Sequence, residues 1–342
     1  MYDEFYGLSG KPFQLTPDHR FFFDSQGHHR ALAYLRYGLE QGEGFIVITG
    51  AIGTGKTILV RALFSELEGR NIMAAQLVTT QVEPEDMLRM VCASFGLAHE
   101  GMNKATLLHN LEVIARTRFA EGRRILLVVD EAQNLPDRSL EELRMLANFQ
   151  VDGRSLFQSF LLGQEELRRT LQLPNMEQLR QRIIAAYHLE PLSREETSAY
   201  IRFRLERVGW AGEPEFAPEV FELVHAETGG VPRRINTLCD RLLLFGCIEE
   251  KHRLAVEDVQ VVAAELQQES GRPAGLAVSA TQAPCGSPAA GADRPAPGDL
   301  PERLAALEGE VSRLRLIVMQ ERKLLRKAVL LQLELGAYDD LD

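Results

Sequence analysis

The chain has 342 residues, 45% hydrophobic and 25% charged, with a formal net charge of −11. That length accommodates two domains, or one large domain and an appendage, and the composition is that of an ordinary globular protein. The acidic balance argues against nucleic-acid binding across the whole surface, leaving room only for a local basic groove.

The opening segment, "MYDEFYGLSGKPFQLTP", is acidic and then aromatic, without the basic-then-apolar order of an export signal. No apolar run reaches the length a bilayer span needs. A cytoplasmic location is the expectation. Five short apolar runs follow: "FIVIT" (45–49), "AAQLV" (74–78), "ILLVV" (125–129), "FQSFLL" (157–162) and "AAYHL" (185–189). Such runs suit strands covered on both faces, as in a parallel sheet. Helical spacing lies between them, at Leu59, Ala62, Leu63 and Leu67 before Gly69, and at Leu107, Leu111 and Ile114 before Gly122. The alternation predicts an open α/β sheet with right-handed crossovers over residues 1–192.

Beyond Leu192 the strand signal stops. Ser193 and Glu196 form a capping-box pattern ahead of a helix that ends at Gly209, and further helices are predicted over 218–227, 234–247 and 256–266. Residues 193–268 therefore read as a small all-helical domain. From 269 to 301 the chain turns to Ala, Gly, Pro and Ser, the composition of a flexible linker. Leu304, Leu307, Val311, Leu314 and Val318 then repeat at spacings of three and four within 302–335. That is a short heptad seam, open to self-association, partner pairing or docking on its own domain. Cys92, Cys239, Cys247 and Cys285 show no Cys-x-x-Cys pair, so reduced thiols are expected.

The chemistry concentrates in one loop. Gly50, Ala51, Ile52, Gly53, Thr54, Gly55, Lys56 and Thr57 spell Gly-x-x-x-x-Gly-Lys-Thr between a predicted strand and a predicted helix that continues through Ile58. Glycines let backbone N–H groups wrap a phosphate, and the helix N-terminus adds partial positive charge. Lys56 is placed to meet the β- and γ-phosphates, and the Thr57 hydroxyl to ligate Mg²⁺. Asp130 and Glu131 directly follow the apolar run "ILLVV". Alone, such a pair reads equally as a helix N-cap. Paired with the loop, Asp130 orients the Mg²⁺ shell and Glu131 polarises the attacking water. The reading is a nucleoside triphosphatase using Mg²⁺, with ATP and GTP not separated by these motifs.

The loop, "LLVVDEAQNL" and "GGVPRRIN" together resemble an AAA+ ATPase. "FYGLSGKPFQLTPDHRFFF", "HHRALAYLRYGLEQGEGFIVITG" and "LRQRIIAAYHLEPL" are similar to the general secretion pathway protein A (ExeA) type, and most similar to the exosortase (PEP-CTERM) system-associated ATPase found near polysaccharide-export genes. The likeness covers about residues 1–268. It implies a P-loop sheet domain, a helical lid, and ATP with Mg²⁺. It implies Gln164 in "FLLGQEEL" as the polar sensor of the γ-phosphate and Arg182 in "LRQRI" as an arginine finger reaching a neighbouring subunit, with Arg180 the alternative. Arg233 in "GGVPRR" becomes a second sensor on the lid, and Pro17 with Phe21 to Phe23 lie by the adenine. Each has a plainer reading too: Arg182 a solvated helix charge, Arg233 a surface or C-capping charge, Gln164 a helix cap, and the phenylalanines domain packing.

Relatives of the secretion type continue into a membrane span and a peptidoglycan-binding region, where this chain carries the Ala/Pro stretch and heptad seam. The resemblance thus implies a homo-oligomeric cytosolic ATPase that assembles or remodels an export apparatus, recruited to the inner membrane by partners. Two other classes remain: a DNA-bound regulatory ATPase, resting only on "RRT" and "RRIN", and a non-hydrolysing nucleotide-sensing scaffold. A helicase is excluded, because the residues after Leu192 cannot build a second α/β domain. His28, His29 and Trp210 show no ligand spacing and take no assigned role.

Overall fold

A computed structural model describes residues 2–16, 18–67, 69–78 and 83–269. The predicted linker lies outside them except for Glu269, which closes the last helix, and the heptad seam, Pro17 and Cys285 lie outside them too. The chain opens with a single turn, α1 (Tyr2–Phe5), and then α2 (Gln26–Gln41). Ser25 caps α2 by accepting the His28 N–H, and Gly42, at φ 73°, ends it in the left-handed conformation that glycine takes without strain.

Strands β1 (Phe45–Gly50), β2 (Ile72–Val78), β3 (Arg124–Asp130), β6 (Phe157–Gly163) and β7 (Ile183–Leu189) form one sheet in the order β2-β3-β6-β1-β7. Every pairing in it is parallel. All five apolar runs are strands, each extended by one or two residues. The connecting helices are α3 (Lys56–Leu67), α4 (Pro84–Ser94), α5 (Lys104–Ala120), α6 (Asp137–Leu146), α7 (Glu165–Leu171) and α8 (Glu177–Arg180). A two-residue antiparallel pair, β4 (Gln150–Val151) with β5 (Arg154–Ser155), precedes β6 and is too short to leave an apolar signature.

Side chains alternate across the sheet with a period of two. Phe45, Val47, Leu127, Val129 and Leu161 face a core shared with α4, α5 and α6. Ile46, Ile48, Leu126, Val128 and Phe160 face the opposite core, under α2 and α3. Burying each such side chain contributes about 1.5–3 kcal/mol, so a one-residue register slip is strongly penalised.

Helices α9 (Arg194–Glu206), α10 (Pro218–Thr228), α11 (Pro232–Ile248) and α12 (Val256–Glu269) follow the sheet. The capping box of Ser193 and Glu196 forms as expected. One detail departs from an all-helical reading: β8 (Glu215–Phe216) and β9 (Arg253–Leu254) make a two-residue parallel bridge tying the α9–α10 loop to the α11–α12 loop. The core of this region also recruits the start of the chain. Tyr2, Tyr6, Leu8, Phe13 and Phe21 pack with Ile201, Leu205, Leu238 and Leu242. Cys92 and Cys239 are buried and no cysteine is bridged among the described residues.

Candidate functional site

The sheet order puts β6 between β1 and β3, and the register aligns Thr49 with Gly163 and Leu161 with Val129. The residues that follow β1, β3 and β6 therefore emerge side by side at the carboxyl edge of the sheet, where open α/β sheets place their ligand crevice. Those residues are the loop from Ala51, Glu131 next to the last β3 residue Asp130, and Gln164.

The loop turns through Gly53 at φ 84° and Gly55 at φ 104°. Both positions also lack room. A Cβ at Gly53 would lie 2.6 Å from the Arg233 Cβ, and one at Gly55 would lie 2.6 Å from His28 Nε2. Lys56 begins α3 and is buried, its ammonium donating to the carbonyls of Gly50 (2.8 Å) and Ala51 (3.0 Å). Burial pushes its pKa down, opposed by the carboxylates of Glu131 and Asp130. A cation that donates to carbonyls at the mouth of a helix N-terminus is suited to an incoming anion.

Thr57 donates its hydroxyl to Asp130 Oδ2 over 2.9 Å, and Asp130 Oδ1 accepts the Glu131 N–H at 3.0 Å. Burial pushes the Asp130 pKa up, while these two hydrogen bonds pull it back. A hydroxyl and a carboxylate so placed are hard oxygen donors, the set that fits Mg²⁺. Glu131 sits at φ 55°, ψ 38°, a left-handed conformation that a non-glycine residue adopts at a cost. It caps nothing with its side chain. Instead Glu131 Oε2 accepts from Gln133 Nε2 (2.6 Å) and Gln164 Nε2 (3.2 Å), while Gln133 Oε1 accepts the Gln164 N–H (3.0 Å). Gln164 likewise makes no side-chain cap to α7.

Arg233 is on the first turn of α11, not at a C-terminus, and its N–H donates to the Gly53 carbonyl over 3.2 Å. Arginines 233 and 234 stand at the positive end of a helix with no acidic residue in its first turn, a placement that an anion would relieve. Between these parts lies a cavity of about 400 Å³ whose lining includes Lys56, Thr57, Glu131 and Arg233 together with Gln14, Phe21, Tyr200 and Asn236. Phe21 to Phe23 line it and also pack: Phe23 meets Tyr200 edge-on, and Phe22 meets His28.

Arg182 and Arg180 lie elsewhere. Arg182 donates to the Ala147 carbonyl over 3.1 Å and to Asn148 Oδ1, and its own carbonyl accepts the Phe45 N–H. That sets it level with the start of β1, about 17 Å along the strand from Gly50. Arg180 donates to the Leu171 carbonyl at 3.0 Å.

Three side chains at the site escaped the sequence reading. Gln133 had a signal, two positions beyond Glu131. Asn236 had a weaker one, a helical turn beyond Arg233. His28 had none: it is buried beneath the loop, its ring bonded to Ser25 Oγ at 2.7 Å and to the Thr54 backbone, and burial holds its pKa down.

Residues 39–171 match the family model described as AAA domain. That stretch of the chain is similar to an AAA domain. The chain is 38% identical over 269 residues to General secretion pathway protein A of Aeromonas hydrophila, covering 78% of this chain and 48% of that protein. The chain thus spans about half the length of the curated relative it matches. Among solved structures it is similar to Cdc6p of Pyrobaculum aerophilum, at TM-score 0.57 and 15% identity over 77% of this chain and 70% of that one. The ORC1 protein of Aeropyrum pernix, solved in complex with DNA, gives TM-score 0.56 and 18% identity over 76% and 70%. These likenesses show the fold of the AAA domain: a parallel P-loop sheet flanked by helices. No helix among the described residues is long and apolar enough to cross a membrane.

Proposed function

We propose that this protein binds ATP with Mg²⁺ and hydrolyses it to drive assembly or remodelling of an export apparatus. One observation carries the nucleotide part: the loop from Gly50 to Thr57, the Thr57–Asp130 pair and the Gln-held Glu131 converge on one cavity. Loop N–H groups and Lys56 take the β- and γ-phosphates, with Ile58 inside the first turn of the helix that points at them. Thr57 and Asp130 hold Mg²⁺, which neutralises phosphate charge when bound. Glu131 accepts a proton from the attacking water, and Gln164 orients that water and the γ-phosphate. Arg233, carried on α11, reports the phosphate to the helical region, so that loss of the γ-phosphate releases contacts across the cleft.

Arg182 acts in trans, from one subunit into the nucleotide of the next, which makes turnover depend on a homo-oligomer. Its place at the far end of the sheet from its own loop supports this reading, because it cannot serve the site of its own chain. A secretion partner is supported by the similarity to General secretion pathway protein A; the finer form, an exosortase-type polysaccharide-export system at the inner membrane, rests on the sequence resemblance alone. Calorimetry with ATP and GTP in the presence of Mg²⁺, followed by phosphate release on the same sample, tests the core of this. ATP binding and turnover by the wild type, with both lost in Lys56→Ala, is the expected result. Binding without any turnover would reduce the protein to a nucleotide-sensing scaffold.

A further inference from the structure

Three of the side chains that line the cavity are buried and form a hydrogen-bonded row. Arg204 Nη1 donates to the Tyr200 hydroxyl over 2.7 Å, and that hydroxyl donates to Asn236 Oδ1 over 2.9 Å. Tyr200, Arg204 and Asn236 are 6%, 5% and 7% exposed, so water cannot substitute for these partners. The direction of the row is fixed by its first member. A guanidinium has no acceptor, so the tyrosine oxygen must accept from it, and the single phenolic proton is left for Asn236. Arg204 is itself immobilised, donating to the carbonyls of Pro12 (2.6 Å) and Gln14 (3.4 Å).

The consequence falls on Asn236. Its carbonyl oxygen is committed to Tyr200, which sets the amide so that Nδ2 is its remaining polar atom. Among the described residues Nδ2 has no hydrogen-bond partner, yet the residue lines the cavity. A donor held in one orientation and reached from the cavity is placed to meet an acceptor on a ligand there. The surroundings narrow what that acceptor belongs to. Phe21, Leu192 and Tyr200 line the same cavity, offering flat or apolar walls. Asn236 is three residues along α11 from Arg233, a rise of about 4.5 Å away from the phosphate loop. A planar heterocycle with ring nitrogens fits walls of that kind better than a sugar does.

We propose that Asn236 is a base-reading residue, donating its Nδ2–H to a ring nitrogen of the bound purine, with Arg204 and Tyr200 as positioning residues that fix its amide. This rests on the nucleotide reading above. The arrangement links base recognition to the start of the chain, because the guanidinium that orients the row also holds Pro12 and Gln14.

The test is calorimetric titration of the full chain with ATP, inorganic tripolyphosphate, 2′-deoxy-ATP and the 1-, 3- and 7-deaza analogues of ATP, all with Mg²⁺. Asn236→Asp preserves the acceptor for Tyr200 and the side-chain volume while removing the donor; Asn236→Ala removes both. Each is expected to bind ATP about fivefold more weakly, with tripolyphosphate affinity unchanged. One deaza analogue is expected to bind wild type with the same deficit and to show no further loss in the variants. An unchanged ATP affinity, an equal loss for tripolyphosphate, or 2′-deoxy-ATP as the analogue that erases the difference would each overturn the assignment. If wild type binds tripolyphosphate and ATP alike, base reading fails while the phosphate site stands; if it binds neither, both fail.

Discussion

Gln164 donates its side-chain amide to Glu131 Oε2 over 3.2 Å, across the gap between the ends of β6 and β3. Gln133 donates to the same oxygen and accepts the Gln164 N–H, so the two amides brace one carboxylate. A carboxylate held this way keeps the orientation needed to take a proton. Glu131→Gln keeps the shape and loses the base: ATP affinity is expected within about threefold of wild type, with turnover down by a factor of about 10² to 10⁴. Gln164→Ala should slow turnover by at least about tenfold with affinity retained. Phosphate release under saturating ATP checks both, and equal turnover by Glu131→Gln and wild type removes the catalytic assignment.

Arg182 is tied to Ala147 and Asn148, level with the start of β1 and far from its own Lys56. If it serves a neighbouring subunit, Arg182→Ala binds ATP and does not hydrolyse it, while Lys56→Ala does neither. Mixing the two inactive proteins then restores part of the turnover, because the intact loop of one meets the intact arginine of the other. Activity as a function of the mixing ratio is the measurement. A flat line at zero across every ratio, or Arg182→Ala alone as active as wild type, ends the trans role and leaves Arg182 as a tie between β7 and the end of α6.

The sheet was legible because its signals are local. Five apolar runs, a glycine-rich loop and a capping box at Ser193 each declare themselves within a dozen residues. What the sequence hid is non-local. Tyr2, Tyr6 and Phe13 are ordinary aromatics until α9 to α12 fold around them, two hundred residues later in the chain. His28 becomes a support for the loop only because α2 passes beneath Gly55. The β4–β5 and β8–β9 pairs are two residues long, below the length at which alternation can be read. At the site, residue types in a motif were visible, whereas the orientation of an amide by an arginine on another helix was not.

His28 gives the fold an acid limit. Burial holds its pKa below the usual 6.5, opposed in part by the bond to the Thr54 backbone. Between the folded-state value and 6.5 the unfolded chain binds more protons than the folded one, so stability rises with pH through that window and is level above it. Acidification below 6.5 should therefore cost wild type stability at a slope that His28→Gln lacks. Urea unfolding of both proteins from pH 7 to pH 5 makes the comparison; parallel profiles would mean that the folded chain takes up the proton as readily as the unfolded one, so that burial of the imidazole carries no cost.

Arg204 is a buried cation that, among the described residues, has no carboxylate as a hydrogen-bond partner. Its donors go to Pro12, Gln14 and Tyr200, and its plane lies 4.7 Å from the centre of the Phe21 ring. The charge is thus stabilised by carbonyl dipoles and an aromatic face, both of which belong largely to the first 21 residues. Removing it should loosen that segment before anything else. Arg204→Met keeps the apolar stem and loses every donor, at an expected cost of about 2–4 kcal/mol in urea unfolding. Arg204→Lys should recover less than half of this, since one ammonium cannot reach three acceptors in a plane and stack as well. Limited proteolysis locates the damage: early cleavage near residues 10–16 in both variants, with the sheet domain still resistant. Wild-type stability and an unchanged cleavage pattern in Arg204→Met would show that the aromatic residues alone anchor the start of the chain.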